Sequence, residues 1–143
     1  MPATANRPGP LNLPRAIVLD DEGARTLQVF GLDRTYVART TKAIGSRYYD
    51  DHGNCLAETG AGQETFGFPK RQFIYQPEFE EALRTRLDEQ TPGVLRFNSE
   101  VVEIASLGEK MAVSLLDEED RPHRIVCDWV LACDGGRSPI RER

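Results

Sequence analysis

One segment limits what this chain can fold into more than any other. Trp129-Val130-Leu131-Ala132-Cys133 runs directly into Asp134-Gly135-Gly136-Arg137-Ser138-Pro139. An unbroken apolar run is the mark of a strand buried on both faces, as in a parallel sheet. Ser138 and Pro139 suit the cap and first position of a helix, so the pattern predicts strand, glycine turn, helix. Such a turn aims main-chain N–H groups at an anion, and its glycines let a phosphate or ribose come close to the backbone. Asp134, a carboxylate at the strand's end, suits a ribose or ribityl hydroxyl rather than a phosphate. A tight strand-to-helix turn with no ligand has the same local pattern, so these residues alone leave both readings open.

The remaining elements read as mixed α and β. Met1 to Pro14 holds four prolines and little helix or strand potential, an extended opening loop. A helix is expected at about 20–30, with Asp20-Asp21-Glu22 at its positive end, Ala24, Leu27 and Phe30 at helical spacing, and Gly31 as its stop. Ala43–Tyr49 suits a strand, Asp50–Asn54 a turn, and Cys55-Leu56-Ala57 the returning strand of a hairpin. Residues 58–72 are rich in glycine, proline and polar groups and read as a loop. Pro77 suits the first position of a second helix whose Phe79, Leu83 and Leu87 form one apolar stripe, ending at Pro92-Gly93. Strands are expected at Val94–Phe97, Val101–Ala105, Met111–Leu116 and Trp129–Cys133, with Arg124–Val126 returning through a turn at 117–122. Trp129 is expected in the core.

Composition narrows the function classes. At 143 residues the length is that of one domain. Eighteen Lys and Arg against 23 Asp and Glu give a net charge of −5, which argues against a dedicated nucleic-acid binder. No apolar run approaches the length of a membrane span, and the opening residues do not form a secretory signal. Cys55, Cys127 and Cys133 are an odd number with no CxxC pair, which implies reduced thiols, a cytoplasmic location, and neither a disulfide frame nor a zinc site.

Other candidate motifs are weaker. Gly60-Ala61-Gly62-Gln63-Glu64-Thr65 looks like a dinucleotide fingerprint without its third glycine. No apolar strand precedes it and Phe66-Gly67-Phe68-Pro69 stands where a helix is needed, so it reads as a loop. Arg15 alone is an ordinary solvated charge. Gln76 occupies the cap before Pro77, where it either caps indifferently or turns its amide toward a ligand. His52 and His123 have no nucleophile partner, so no triad and no catalytic residue is assigned. Glu80-Glu81 and Glu118-Glu119 read as solvated faces.

Three stretches taken together are more specific. Pro14-Arg15-Ala16 precedes Asp20-Asp21-Glu22 and Phe30-Gly31-Leu32. Phe73-Ile74-Tyr75-Gln76-Pro77 leads a helix, and Ala132-Cys133-Asp134-Gly135-Gly136-Arg137-Ser138 closes the chain. In order and spacing they resemble the FAD-dependent aromatic hydroxylases, the class A flavoprotein monooxygenases with the p-hydroxybenzoate hydroxylase fold. Pro14 through Leu32 and Phe66-Gly67-Phe68-Pro69 are most similar to the 3-(3-hydroxyphenyl)propionate hydroxylase branch. The resemblance covers Pro14 to Arg143.

The resemblance implies an α/β fold: part of a Rossmann-like FAD- and NAD(P)-binding domain with part of a β-rich insertion, occupying residues 1–143. It implies FAD as cofactor, NADH or NADPH as co-substrate, and hydroxylation by O2 of a small phenolic aromatic acid ortho to its hydroxyl. Arg15 would meet the flavin side of FAD, Gln76 its ribityl chain or pyrophosphate, and Val101 its adenine. Asp134 and Gly135 would match the family's Asp-Gly motif. The family's opening GxGxxG strand-turn and its later Gly-Asp motif do not occur in this sequence, so these residues read as an internal piece that binds FAD weakly or not at all alone. Exposed apolar edges of such a half-sheet favour self-association. Two alternatives stay open: a non-catalytic truncated remnant or interaction module of the same fold, and a hydroxylase of a larger aromatic or polyketide.

Overall fold

The computed structural model describes residues 3–10, 12–135, 138 and 140. In chain order its elements are β1 (Ala3–Thr4), β2 (Val18–Asp20), α1 (Asp21–Val29), β3 (Thr41–Lys42), β4 (Gly45–Tyr49), β5 (Cys55–Gly60), β6 (Arg71–Phe73), α2 (Gln76–Gln90), β7 (Leu95–Arg96), β8 (Glu100–Leu107), β9 (Lys110–Leu116) and β10 (Pro122–Cys127), with a 3-10 turn at Val37–Arg39. They fall into two compact units. Leu11–Gln90 form one, and Met1–Pro10 join Thr91–Arg143 in the other.

In the Leu11–Gln90 unit, β6 is the centre of an antiparallel β2-β6-β3 sheet, and β4 and β5 form an antiparallel hairpin. Helix α1 starts where the residue chemistry requires: the Asp20 carboxylate accepts the Gly23 N–H at 2.7 Å, and Asp21 and Glu22 occupy the first turn. It ends at Gly31, whose φ of +74° suits glycine, with the Gly31 and Leu32 N–H groups returning to the Gln28 and Leu27 carbonyls. Arg86 of α2 donates its Nε–H to the Phe30 carbonyl at 2.8 Å, setting a cation at the negative end of α1. Ala24, Leu27, Leu32, Tyr36 and Val37 form the buried core, and Phe79, Ala82 and Leu83 of α2 pack against it. Leu87, the third residue of that stripe, is exposed.

Two buried polar groups stand in this unit. Asp21 is fully buried, and its Oδ1 accepts from Lys70 Nζ at 3.0 Å, a bond that pushes the Lys70 pKa up. Gln72 in β6 accepts the Thr40 hydroxyl at 2.6 Å. Asp21 Oδ2 and Gln72 Nε2 have no partner among the described residues.

In the other unit β9 is the central strand of an antiparallel β10-β9-β8 sheet, and it carries the buried Ala112, Val113 and Leu115. The β9–β10 turn is closed by one side chain. Asp117 Oδ1 accepts the N–H groups of Glu119 and Arg121 at 3.0 Å each, and Oδ2 meets Arg121 Nε and His123 Nε2 at 2.8 Å each. The bond from His123, with those from Arg121 and Glu119, holds the Asp117 carboxyl well below the usual carboxylate range.

Several expectations are corrected. The run Trp129–Cys133 is not a strand, and Trp129 lies outside the core: Trp129 and Leu131 are each 77% exposed. An apolar run becomes a strand only where a neighbour takes up its N–H and C=O groups, and no described strand pairs with it. The opening loop contains β1, which pairs parallel with β7 because the Ala5 N–H finds the Arg96 carbonyl and the Ser99 N–H finds the Ala5 carbonyl. The expected loop 58–72 holds the end of β5 and all of β6, since cross-strand partners override its weak local propensity. A strand thus does precede the rejected glycine motif, though it is half of an exposed hairpin and no helix follows. Strand β2 was not expected, and β3 is separated from β4 at Ala43-Ile44. The helix expected after Ser138-Pro139 lies outside the described residues.

Leu27→Ala should destabilise the folded chain by about 2–5 kcal/mol in a urea melt, whereas Val29→Ala, two residues on and 79% exposed, should change it by less than about 0.5 kcal/mol. Asp117 contributes stability above about pH 4 that fades as pH falls, because its folded carboxyl titrates lower than the unfolded one. Asp117→Asn should therefore lower the Tm at pH 7, with the gap to the unsubstituted protein narrowing below about pH 4. A gap that stays constant down to pH 2 would contradict that account.

Candidate functional site

The five residues singled out for a nucleotide fall into three places. Arg15 lies in the exposed segment before β2, and Gln76 opens α2. They are joined directly: Gln76 Oε1 accepts the main-chain N–H groups of Arg15 and Ala16, each at 2.8 Å. One residue on, the Ile74 N–H donates to the Ile17 carbonyl, so the segment runs alongside the β6–α2 junction. Gln76 is therefore not an indifferent cap. Its carbonyl oxygen satisfies a loop 60 residues away rather than its own helix.

The nitrogen end of the same amide donates to Glu80 Oε1 at 2.7 Å. An amide nitrogen carries two N–H groups, so one remains for a ligand. Arg15 is exposed, so a cation stands at the residue whose main chain the lock holds.

Val101 lies in β8 opposite Leu115 of β9, at a register shift between Val101 and Glu103, and is partly buried. Asp134 and Gly135 lie in an exposed irregular segment after β10. Asp134 Oδ2 accepts the Ser138 hydroxyl at 2.7 Å and the Ile140 N–H at 3.5 Å. Ser138 is itself buried, so its hydroxyl fixes the carboxylate from the protein side. Gly135 has φ +90°, and among the described residues none lies within 4 Å of where a Cβ would stand, which leaves room for a ligand at the backbone. In the Leu11–Gln90 unit a cation and an amide with a spare N–H suit a phosphate, and in the other unit an anchored carboxylate and an open glycine suit sugar hydroxyls. A cleft of about 580 Å³ beside Lys110, Met111, Asp128 and Trp129 involves none of these residues.

Three participants were not anticipated. Ala16 and Ser138 act through a main-chain N–H and a hydroxyl, which no motif announces. Glu80 was read as part of a solvated face. The signal for it was present in its i,i+4 spacing from Gln76 on one helix face.

The fold is shared with solved structures. The chain superposes on p-nitrophenol 4-monooxygenase PnpA from Pseudomonas putida DLL-E4 with a TM-score of 0.84 at 21% identity, covering 96% of this chain and 35% of that one. It superposes on the flavin-dependent monooxygenase PieE, solved with FAD and substrate, with a TM-score of 0.80 at 20% identity over 97% of this chain and 26% of PieE. Residues 6–143 match the FAD binding domain family, and the chain belongs to that family. The 3-(3-hydroxy-phenyl)propionate/3-hydroxycinnamic acid hydroxylase of Escherichia coli (strain SMS-3-5 / SECEC) is 29% identical over 131 residues, 92% of this chain. The chain spans about a quarter of the length of such curated relatives (24% for this one). The α/β class and the resemblance to class A flavin monooxygenases therefore hold. Among the described residues no helix is long and apolar enough to cross a membrane.

Gln76→Ala should free the Arg15 and Ala16 N–H groups, raising their amide hydrogen exchange about tenfold while the core amides of α1 keep their protection. Unchanged exchange at both positions would show that the bonds do not hold the segment.

Proposed function

We propose that this chain contributes to the FAD site of a flavin-dependent monooxygenase that hydroxylates a small phenolic aromatic acid ortho to its hydroxyl, with NADH or NADPH and O2 as co-substrates. The observation that carries the reading is the Gln76 amide bound to the Arg15 and Ala16 N–H groups, which unites two expected flavin residues from distant parts of the chain. Family membership over residues 6–143 supports the cofactor, and the names of the curated relatives favour a phenolic acid over a larger ring. On this reading all 143 residues belong to one FAD-binding domain of a cytoplasmic enzyme.

FAD, when bound, supplies the oxygen-activating chemistry, and the chain's own residues bind and orient it. Arg15 offers a guanidinium to the flavin side of the nucleotide, where a delocalised cation balances negative charge. Gln76 holds the Arg15 backbone and keeps one N–H for the ribityl chain or pyrophosphate. Asp134, already anchored by Ser138, accepts hydroxyl protons from the sugar chain, and Gly135 lets that chain come close. Val101 provides an apolar surface for adenine.

Titration with FAD tests this, with flavin fluorescence reporting affinity and amide NMR shifts reporting location. The expected result is saturable shifts at residues 15, 76, 101 and 134–135. Arg15→Ala should weaken binding roughly tenfold or more, the usual loss for a charge-assisted bond. Shifts absent from these positions at millimolar FAD would overturn the reading.

A further inference from the structure

We infer that Glu80 is a positioning residue that fixes which end of the Gln76 amide faces the Arg15–Ala16 segment, and through it holds the root of Arg15 for the cofactor. The cofactor half of this inference rests on the flavin reading above. The amide half rests on geometry alone.

A side-chain amide is nearly symmetrical in shape and opposite in hydrogen-bonding character at its two ends. Here both groups facing one end are donors, the Arg15 and Ala16 N–H groups at 2.8 Å. The group facing the other end is a carboxylate, Glu80 Oε1 at 2.7 Å, which only accepts when ionised. A flipped amide would set its NH2 against two N–H donors and its carbonyl against a negative charge, losing all three bonds. Glu80 sits one helical turn beyond Gln76 on the same face of α2, so it holds the amide from below while the segment holds it from above.

Fixing the amide matters because, among the described residues, no other hydrogen bond holds the Arg15 main chain. Residues 12–18 are exposed or nearly so, and regular pairing begins only at β2. Arg15 has a long flexible side chain, and a cation on a loose root spends its attraction on ordering itself. With the N–H of Arg15 bound to an amide that cannot turn over, the guanidinium swings from a fixed point. A Glu80 that merely decorates the helix surface would make a different forecast: any polar replacement would serve equally.

The test is a series on the intact chain, Glu80→Ala, Glu80→Gln and Glu80→Lys, with thermal melts checking that each folds. Two quantities are read: amide hydrogen exchange at Arg15 and Ala16, and the FAD-induced NMR shift of Arg15. Glu80→Ala should speed exchange at both amides several-fold. Glu80→Gln should restore protection, because its own Oε1 accepts from Gln76. Glu80→Lys should be fastest, at about tenfold, because an ammonium donor favours the flipped amide. Exchange in Glu80→Ala equal to that of the unsubstituted chain, or Glu80→Gln as fast as Glu80→Ala, overturns the lock. The expected exchange series with identical FAD-induced shifts at Arg15 in every variant overturns the link to the cofactor. Absence of any such shift in the unsubstituted chain overturns the flavin reading, while the exchange series still decides the lock.

Discussion

Main-chain N–H groups outside regular structure must find acceptors, and in the Leu11–Gln90 unit the segment before β2 finds them in a single side chain. Gln76 closes a loop of 60 residues by accepting from Arg15 and Ala16, and the Ile17 carbonyl accepts from Ile74 beside it. The entropy of closing a loop grows only slowly with its length, so a few short bonds suffice once the intervening chain is folded. That intervening chain is α1, the β2-β6-β3 sheet and their core. The lock therefore depends on the core, and the position of the leading segment depends on the lock.

The core itself is small and compensates for two polar intrusions. Asp21 is fully buried in the first turn of α1, where it lies at the helix's N-terminal end and bonds Lys70. Among the described residues one of its oxygens nonetheless has no partner, nor has the Gln72 amide nitrogen. Each such group costs about 1–3 kcal/mol if water does not reach it. What offsets this is apolar packing by Leu19, Phe68, Ile74, Phe79 and Leu83 around Ala24 and Leu27. The Asp21–Lys70 bond also ties the irregular stretch 61–70 to α1, which is how a segment rich in glycine and polar residues acquires a fixed end.

How much of this was legible follows from the range of each interaction. Both helices were readable because cap, stripe and stop are written within a few residues: Asp20, Ala24, Leu27 and Gly31 for α1, and Pro77, Phe79 and Leu83 for α2. The β4–β5 and β9–β10 hairpins were readable because their turns are local, each closed by an aspartate that accepts N–H groups two to four residues on. Strands β1, β2 and β6 were not readable, since two or three residues become a strand only when a distant partner arrives. The apolar run at Trp129 misled for the converse reason: its composition promised a buried strand, and no described strand lies beside it.

The candidate site divides along the same line. Among the described residues, side-chain oxygens of Asp20, Asp50, Asp117, Asp134 and Gln76 hold main-chain N–H groups. Four are aspartates that reach no further than six residues, and each shapes its own turn. Of these side chains Gln76 is the one that reaches across the unit, and it is the longer, neutral one that needs an outside group to tell its ends apart. A local cap can be replaced by a neighbouring acceptor or by water with little change beyond its turn. A long-range acceptor with a carboxylate behind it cannot, because it joins two segments and fixes their register at once. That difference is why the resemblance could name Gln76 and Arg15 separately while their union appeared only in three dimensions, and why Glu80, invisible as a motif, belongs with them.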